Sequence, residues 1–154
     1  MQKAKLSLIA AALLVPAFAL SAYAADFVRP MPTHPIQAGP TLLGGEQPVI
    51  CSPLVGKNLK AIKAEAKTVK ALNPDMVEVR ADYWDFIEDT DKAIEALQAI
   101  RNIIGDTPIL LTVRVAEERG FKKVGQKPKF DFYKTAAALK LPNLIDVELV
   151  YGAD

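Results

Sequence analysis

The sequence holds 154 residues, 24% of them charged and 51% hydrophobic, with 19 Lys and Arg against 18 Asp and Glu. That balance belongs to one soluble globular domain and excludes a disordered tail, a collagen and a disulfide scaffold. A formal net charge of +1 leaves no excess of basic residues to grip a polyanion, so nucleic acid and anionic membrane surfaces are poor candidate partners.

Met1 to Ala24 reads as a cleaved signal peptide. It has a basic start (Lys3, Lys5), an apolar run from Leu6 to Leu20, and Ala22-Tyr23-Ala24 as a small-x-small cleavage site. The run is shorter than the roughly 20 residues a membrane-spanning helix needs. Pro16 interrupts it, and no basic stop-transfer cluster follows closely. A lipoprotein signal would place a cysteine at the cleavage point, whereas the sole cysteine is Cys51. The expectation is an exported protein, periplasmic or secreted, free of the membrane after cleavage. Losing this segment removes two lysines and no acid, so the net charge turns slightly negative.

Residues 25–47 are crowded with proline around Arg29-Pro30-Met31-Pro32-Thr33-His34-Pro35 and read as an extended linker. His34, the only histidine, is expected there as an exposed and non-catalytic residue. Cys51 lies in the apolar run Pro48-Val49-Ile50-Cys51, where a buried small hydrophobe is a better reading than a reactive thiol.

From residue 48 onward the hydrophobic period switches between short β-like runs and helical stripes, the signature of βα units on a parallel sheet. The first strand is predicted at Val49 to Ser52. Asn58 then caps a helix with Leu59, Ile62, Ala66, Val69 and Leu72 on one stripe, and Asn73-Pro74-Asp75 stops it. Met76 to Arg80 is the second strand. Thr90 to Ile104 is the second helix, with Ile94, Leu97, Ile100 and Ile104 facing inward and Gly105 past its end. The third strand runs from Ile109 to Arg114. A basic loop, Gly120 to Lys127, leads to a helix over Lys129 to Lys140, and Pro142-Asn143 turns the chain into a fourth strand, Leu144 to Val150.

This pitch fits a (β/α) barrel or an open doubly wound sheet, and no Gly-x-Gly-x-x-Gly or Walker loop follows any strand to favour a nucleotide fold. The fold class read from the residues is α/β, with four predicted β strands and three helices, and the barrel and the open sheet both stand at this point. A complete eight-unit barrel takes about 250 residues, so the residues after the signal segment make about half of one. An unclosed half leaves two outer strands with unpaired backbone groups, which pairing of half-barrels as a homodimer would cover.

Strands covered on both faces should be nearly all apolar. Here Glu78 and Arg80 alternate in the second strand, Arg114 ends the third, and Asp146 and Glu148 alternate in the fourth. Alternate residues share a face, and burying such charges unpaired costs several kcal/mol each. They must therefore face one another or a polar ligand at the C-terminal mouth of the strands, where barrel active sites lie. One reading is an ion-pair layer in which Arg80 and Arg114 neutralise Glu78 and Glu148. The other is a site for a polyhydroxylated, carboxylated small molecule, because arginine forks bind carboxylate and hydroxyl oxygens while glutamate accepts from hydroxyls. Glu117 and Glu118 lie just past the third strand, in position to add an acid or base.

At these residues the sequence resembles the type I 3-dehydroquinate dehydratases. The matches are Pro48-Val49-Ile50-Cys51-Ser52-Pro53-Leu54-Val55-Gly56, Glu78-Val79-Arg80-Ala81-Asp82 for Glu-x-Arg-x-Asp, Thr112-Val113-Arg114 with Glu118 for Thr-x-Arg-x-x-x-Glu, and Ile145-Asp146-Val147-Glu148-Leu149. The resemblance implies an α/β enzyme of the (β/α)8 TIM-barrel type, of which residues 48–154 would be the N-terminal half with about the first four β strands and three helices, and which dehydrates 3-dehydroquinate to 3-dehydroshikimate through a lysine Schiff base, with no metal and no cofactor. It assigns Glu78, Arg80 and Arg114 to substrate binding and Glu118 to orienting a catalytic histidine. The family's Schiff-base lysine and catalytic histidine lie on later strands and match no position here, and Arg119 stands where the family usually has glycine. The leading expectation is an exported 3-dehydroquinate dehydratase whose sequence is truncated before its chemical centre or is the first half of a split gene, inactive by itself. The alternative is a non-catalytic exported binding module derived from such a barrel. A different Schiff-base barrel, such as an aldolase, fits the combined motifs less well.

Overall fold

The computed structural model describes residues 31–149. The signal-peptide reading of residues 1–24, the first residues of the linker reading and the predicted strand end at Val150 lie outside the described residues. Two short strands come first, β1 (Ile36–Ala38) and β2 (Thr41–Leu43), paired antiparallel with Ala38 opposite Thr41. Gly39, at φ 55°, supplies the left-handed residue that a two-residue hairpin turn requires. A Cβ at Gly39 would lie 3.3 Å from the Asp106 carbonyl oxygen and 3.5 Å from Asn143 Nδ2. Thr41 Oγ1 donates to the Asp75 carbonyl at 2.7 Å. Asp75, Asp106 and Asn143 stand just before the strands of the main sheet, so the hairpin crosses the sheet's N-terminal end. Part of the segment read as linker is thus packed structure. Its strands of three residues are too short to display alternation, and the surrounding prolines masked them.

The main sheet holds β3 (Cys51–Leu54), β4 (Met76–Arg80), β5 (Ile109–Thr112) and β6 (Leu144–Ile145), in that order and all parallel. Between them run α1 (Leu59–Leu72), α2 (Thr90–Ile104) and α3 (Gln126–Ala138). Asn58 caps α1 by accepting the Ala61 amide at 3.0 Å, and Asp89 caps α2 by accepting the Lys92 amide at 3.2 Å, each meeting a donor the first helical turn leaves unpaired. Asn73 at φ 51° and Gly105 at φ 68° end α1 and α2. The helices cover one face of the sheet, where Leu54, Val77, Val79, Ile109, Leu111 and Val113 pack with Ile62, Leu97, Ile100 and Phe132. At the N-terminal end, the Arg101 guanidinium on α2 donates to the carbonyls of Leu141, Gly105 and Thr107 and to Asn143 Oδ1, tying α2 to the entries of β5 and β6.

Among the described residues no helix is long and apolar enough to cross a membrane. Two departures from the predicted elements matter for the site. The first strand lies two residues later than its predicted span, so Leu54 takes the helix-facing position. Cys51 falls on the opposite face and is exposed, correcting the buried reading. The fourth strand stops at Ile145, before either of its acids.

Candidate active site

The face of the sheet away from the helices carries the charges. Val77 and Val79 go into the core, so the pleat places Glu78 and Arg80 of β4 on the helix-free face, both half-buried. Arg80 stands beside Thr112 of β5 in the register. Thr112 Oγ1 is buried and has no hydrogen-bond partner among the described residues.

Each charged group has a distinct setting. The Arg80 guanidinium donates from Nε to Asp82 Oδ1 at 2.9 Å and from Nη2 to Asp82 Oδ2 at 3.0 Å, a two-pronged pair that leaves Nη1 outside it. Its face lies 5.4 Å from the centre of the Tyr83 ring. Asp82, in the single 3-10 turn that follows β4, is fully buried. Burial pushes its carboxyl pKa up, but hydrogen bonds from Arg80 and from the Phe121 amide outweigh that and hold it below the ordinary value. Glu78 is in no ion pair among the described residues.

Arg114, two residues past β5, is shared among acids. Nη2 meets Asp146 Oδ2 at 2.6 Å, Nη1 meets Glu118 Oε2 at 2.8 Å, and Glu148 Oε1 stands 3.9 Å from Nη1. Glu118 is exposed, on a 3-10 turn (Ala116–Glu118) whose next residue, Arg119, adopts the left-handed conformation at φ 65°. That conformation is the physical reason glycine suits the position.

The ion-pair layer offered as one reading is present only in part: Arg114 stands 3.9 Å from Glu148, but Glu78 is in no ion pair among the described residues. Arg80 turns to Asp82, and Glu148 is buried against Lys129 of α3, to which it is ion-paired. Because β6 ends at Ile145, the chain leaves strand geometry and carries Glu148 toward α3 instead of onto the face it would share with Asp146. Glu148 Oε1 also accepts the Val115 amide at 2.9 Å. Burial raises the Glu148 pKa, and the bonds from Lys129 and Val115 more than offset this, leaving it below the ordinary value. Tyr133 of α3 braces the same region, accepting the Val113 amide at 2.7 Å and donating to the Asp146 carbonyl at 3.1 Å. Desolvation pushes its hydroxyl pKa well up, which keeps it a neutral donor.

Arg80 ends β4, Arg114 and Glu118 follow β5, and Glu78 lies at the middle of β4 on the same face as Arg80. His34 lies before the hairpin, hydrogen-bonded to Thr33. Sequence reasoning missed Asp82 and Lys129 as members of the charged system. Asp82 was visible as the last residue of Glu-x-Arg-x-Asp. Lys129 was visible as a lysine on the apolar stripe of Phe132, Tyr133 and Ala136, where only a partnered charge is tolerated. Among the described residues no group of three or more His, Cys, Asp or Glu side chains is placed to hold a metal ion.

Parallel strands joined by helices on one face, with polar groups gathered toward the strands' C-terminal ends, define part of a (β/α) barrel, a fold whose ligand sites lie at that end. The sequence model of the family described as type I 3-dehydroquinase matches residues 50–154, and the chain belongs to that family. The 3-dehydroquinate dehydratase of Bacillus licheniformis is 39% identical over 107 residues, covering 70% of this chain and 42% of that relative. Its counterpart from Geobacillus sp. (strain WCH70) is 38% identical over 112 residues, covering 72% and 43%. The crystal structure of 3-dehydroquinate dehydratase from Geobacillus kaustophilus HTA426 superposes with a TM-score of 0.75 at 30% identity, covering 79% of this chain and 48% of that one. The Clostridium difficile type I enzyme, solved with covalently modified comenic acid, gives 0.75 at 34% identity, covering 77% and 47%. The chain thus spans less than half the length of these relatives.

Proposed function

We propose that this chain supplies the substrate-holding half of a 3-dehydroquinate dehydratase, which removes water from 3-dehydroquinate to give 3-dehydroshikimate. The observation that carries the reading is Arg80. Its guanidinium is fixed on one edge by Asp82 and on one face by Tyr83, with Nη1 outside the Asp82 pair and on the same strand face as Glu78, which is in no ion pair. Such an arrangement donates to one oxygen of a polyol acid and accepts from a neighbouring hydroxyl without first breaking an internal salt bridge. Arg114, already balanced by Asp146 and Glu118, suits a neutral hydroxyl better than a second carboxylate.

In this reading Glu118 orients a histidine, and the histidine and the imine-forming lysine come from strands that complete the barrel. An imine withdraws electrons from the adjacent carbon, which eases proton abstraction there, and the histidine moves the protons. No metal or cofactor is required. Completion takes place along the two open strand edges, β3 and β6. A homodimer of half-barrels is the other way to cover them. The sequence of residues 1–24 supports an exported protein acting on external substrate.

The test replaces the matching N-terminal part of the Bacillus licheniformis enzyme with residues 48–154 of this chain and follows 3-dehydroshikimate by its ultraviolet absorbance. Turnover that falls at least about a hundredfold with Arg80→Ala, the loss of a charge-assisted contact and of orientation together, is the expected result. A folded chimera with no turnover, or with turnover indifferent to Arg80, overturns the reading and favours a binding module.

A further inference from the structure

Outside the groups that face a ligand, one fully buried carboxylate is shared by three parts of the site. Asp82 Oδ1 accepts from Arg80 Nε, and Oδ2 accepts both Arg80 Nη2 and the Phe121 amide, the latter at 2.8 Å. The Arg114 amide stands 3.4 Å from Oδ1. Phe121 belongs to the loop that carries Glu118. A second contact joins the same two places, since the Phe121 ring stacks on Tyr83 with centroids 4.5 Å apart, and Tyr83 in turn lies under the Arg80 guanidinium. The loop reaches Asp82 only because Gly120 is a glycine. A Cβ there would lie 2.2 Å from the Arg114 carbonyl oxygen and 2.7 Å from that of Val115, which accepts the Gly120 amide at 2.9 Å.

We propose that Asp82 is a positioning residue that couples the aim of Arg80 to the seating of the loop bearing Glu118, so that the two move as one unit. A carboxylate has two oxygens and about four lone-pair sites, and here donors from the end of β4, the end of β5 and the loop converge on them. Displacing the loop removes the Phe121 donor and the ring beneath Tyr83, leaving Arg80 held on fewer sides and able to turn toward Glu78. Displacing Arg80 leaves the loop amide bonded to a carboxylate that has lost its cation. The functional meaning rests on Arg80 being a substrate contact, but the coupling exists without ligand and is measured without it, so the two readings fail separately.

The experiment uses the full chain, isotopically labelled and free of ligand, with hydrogen exchange read at Arg80 Nε–H, at the Phe121 amide and at the core amides of Val79 and Leu111. Asp82→Asn, which turns an amide group toward the arginine, is expected to speed exchange at both Arg80 Nε–H and Phe121 by about tenfold or more while the core amides stay as they are. Gly120→Ala leaves Asp82 and every charge in place but forces the loop away. It is expected to speed exchange at Phe121 and, through the coupling, at Arg80 Nε–H. An unchanged Arg80 in Gly120→Ala, or a parallel loss at all four positions in either variant, overturns the proposal. If Asp82→Asn fails to fold, Gly120→Ala decides alone.

Discussion

Lys129 and Glu148 form the most consequential single pair in the chain. Both side chains are almost fully buried, and they join α3 to the segment after β6 through an ion pair that also fixes the Val115 amide. A buried pair adds little net stability over an apolar pair, yet removing one partner strands the other charge. Lys129→Met is accordingly expected to cost about 3–5 kcal/mol by urea denaturation, and the double variant Lys129→Met with Glu148→Leu to recover most of that loss. The acids also give the fold a pH dependence of definite sign. Asp82 and Glu148 both have pKa values lowered in the folded state, so the unfolded chain binds their protons first. Their contribution is fully present above the ordinary carboxylate range of about 4 and is lost as pH falls below it. Urea midpoints should therefore drop steeply on acidification, and less steeply in Glu148→Gln, whose neutral side chain no longer titrates.

At the scale of elements, the turn after β5 shows how a substitution in one residue marks a loop. Arg119 holds φ at 65° with a side chain, a conformation that costs a non-glycine residue roughly 1–2 kcal/mol. Arg119→Gly is expected to raise stability by about 1 kcal/mol in the same urea assay. A loss of stability would mean that the arginine side chain contributes a contact outweighing the strain. The first two helices were legible in the sequence because each has a long, one-sided apolar stripe, with a cap at Asn58 for α1 and Gly105 past the end of α2, whereas α3, which has no side-chain cap, begins at Gln126 rather than at the predicted Lys129. The hairpin over Ile36–Leu43 was not, since three-residue strands carry no period and its packing against the entries of β4, β5 and β6 is entirely long-range. Of the site, Glu78, Arg80 and Arg114 were legible as charges inside strands. Their partners were not, because the choice between Glu78 and Asp82 for Arg80 depends on the turn after β4, and that of Glu148 on where β6 ends.

At the scale of the whole molecule, the described residues form four parallel strands of a barrel with both edges open, helices on one face and a polar face on the other. Odd-numbered residues of β3 point their backbone groups to the open edge, as the bonds from the Asp75 and Met76 amides to the Ile50 carbonyl imply. Pro53 therefore presents no amide there, which blunts that edge against indiscriminate pairing. In the proposed function this face grips substrate, and the proton-moving and imine-forming groups come from the strands that complete the barrel. The most direct measurement incubates the 154-residue chain with 3-dehydroquinate and borohydride, alone and mixed with a separately expressed C-terminal half of the Bacillus licheniformis relative, and maps any trapped lysine by mass spectrometry. The expected result is no turnover and no adduct on the chain alone, and 3-dehydroshikimate with an adduct on the added half when the two are combined. An adduct on a lysine of this chain, with turnover, would contradict it.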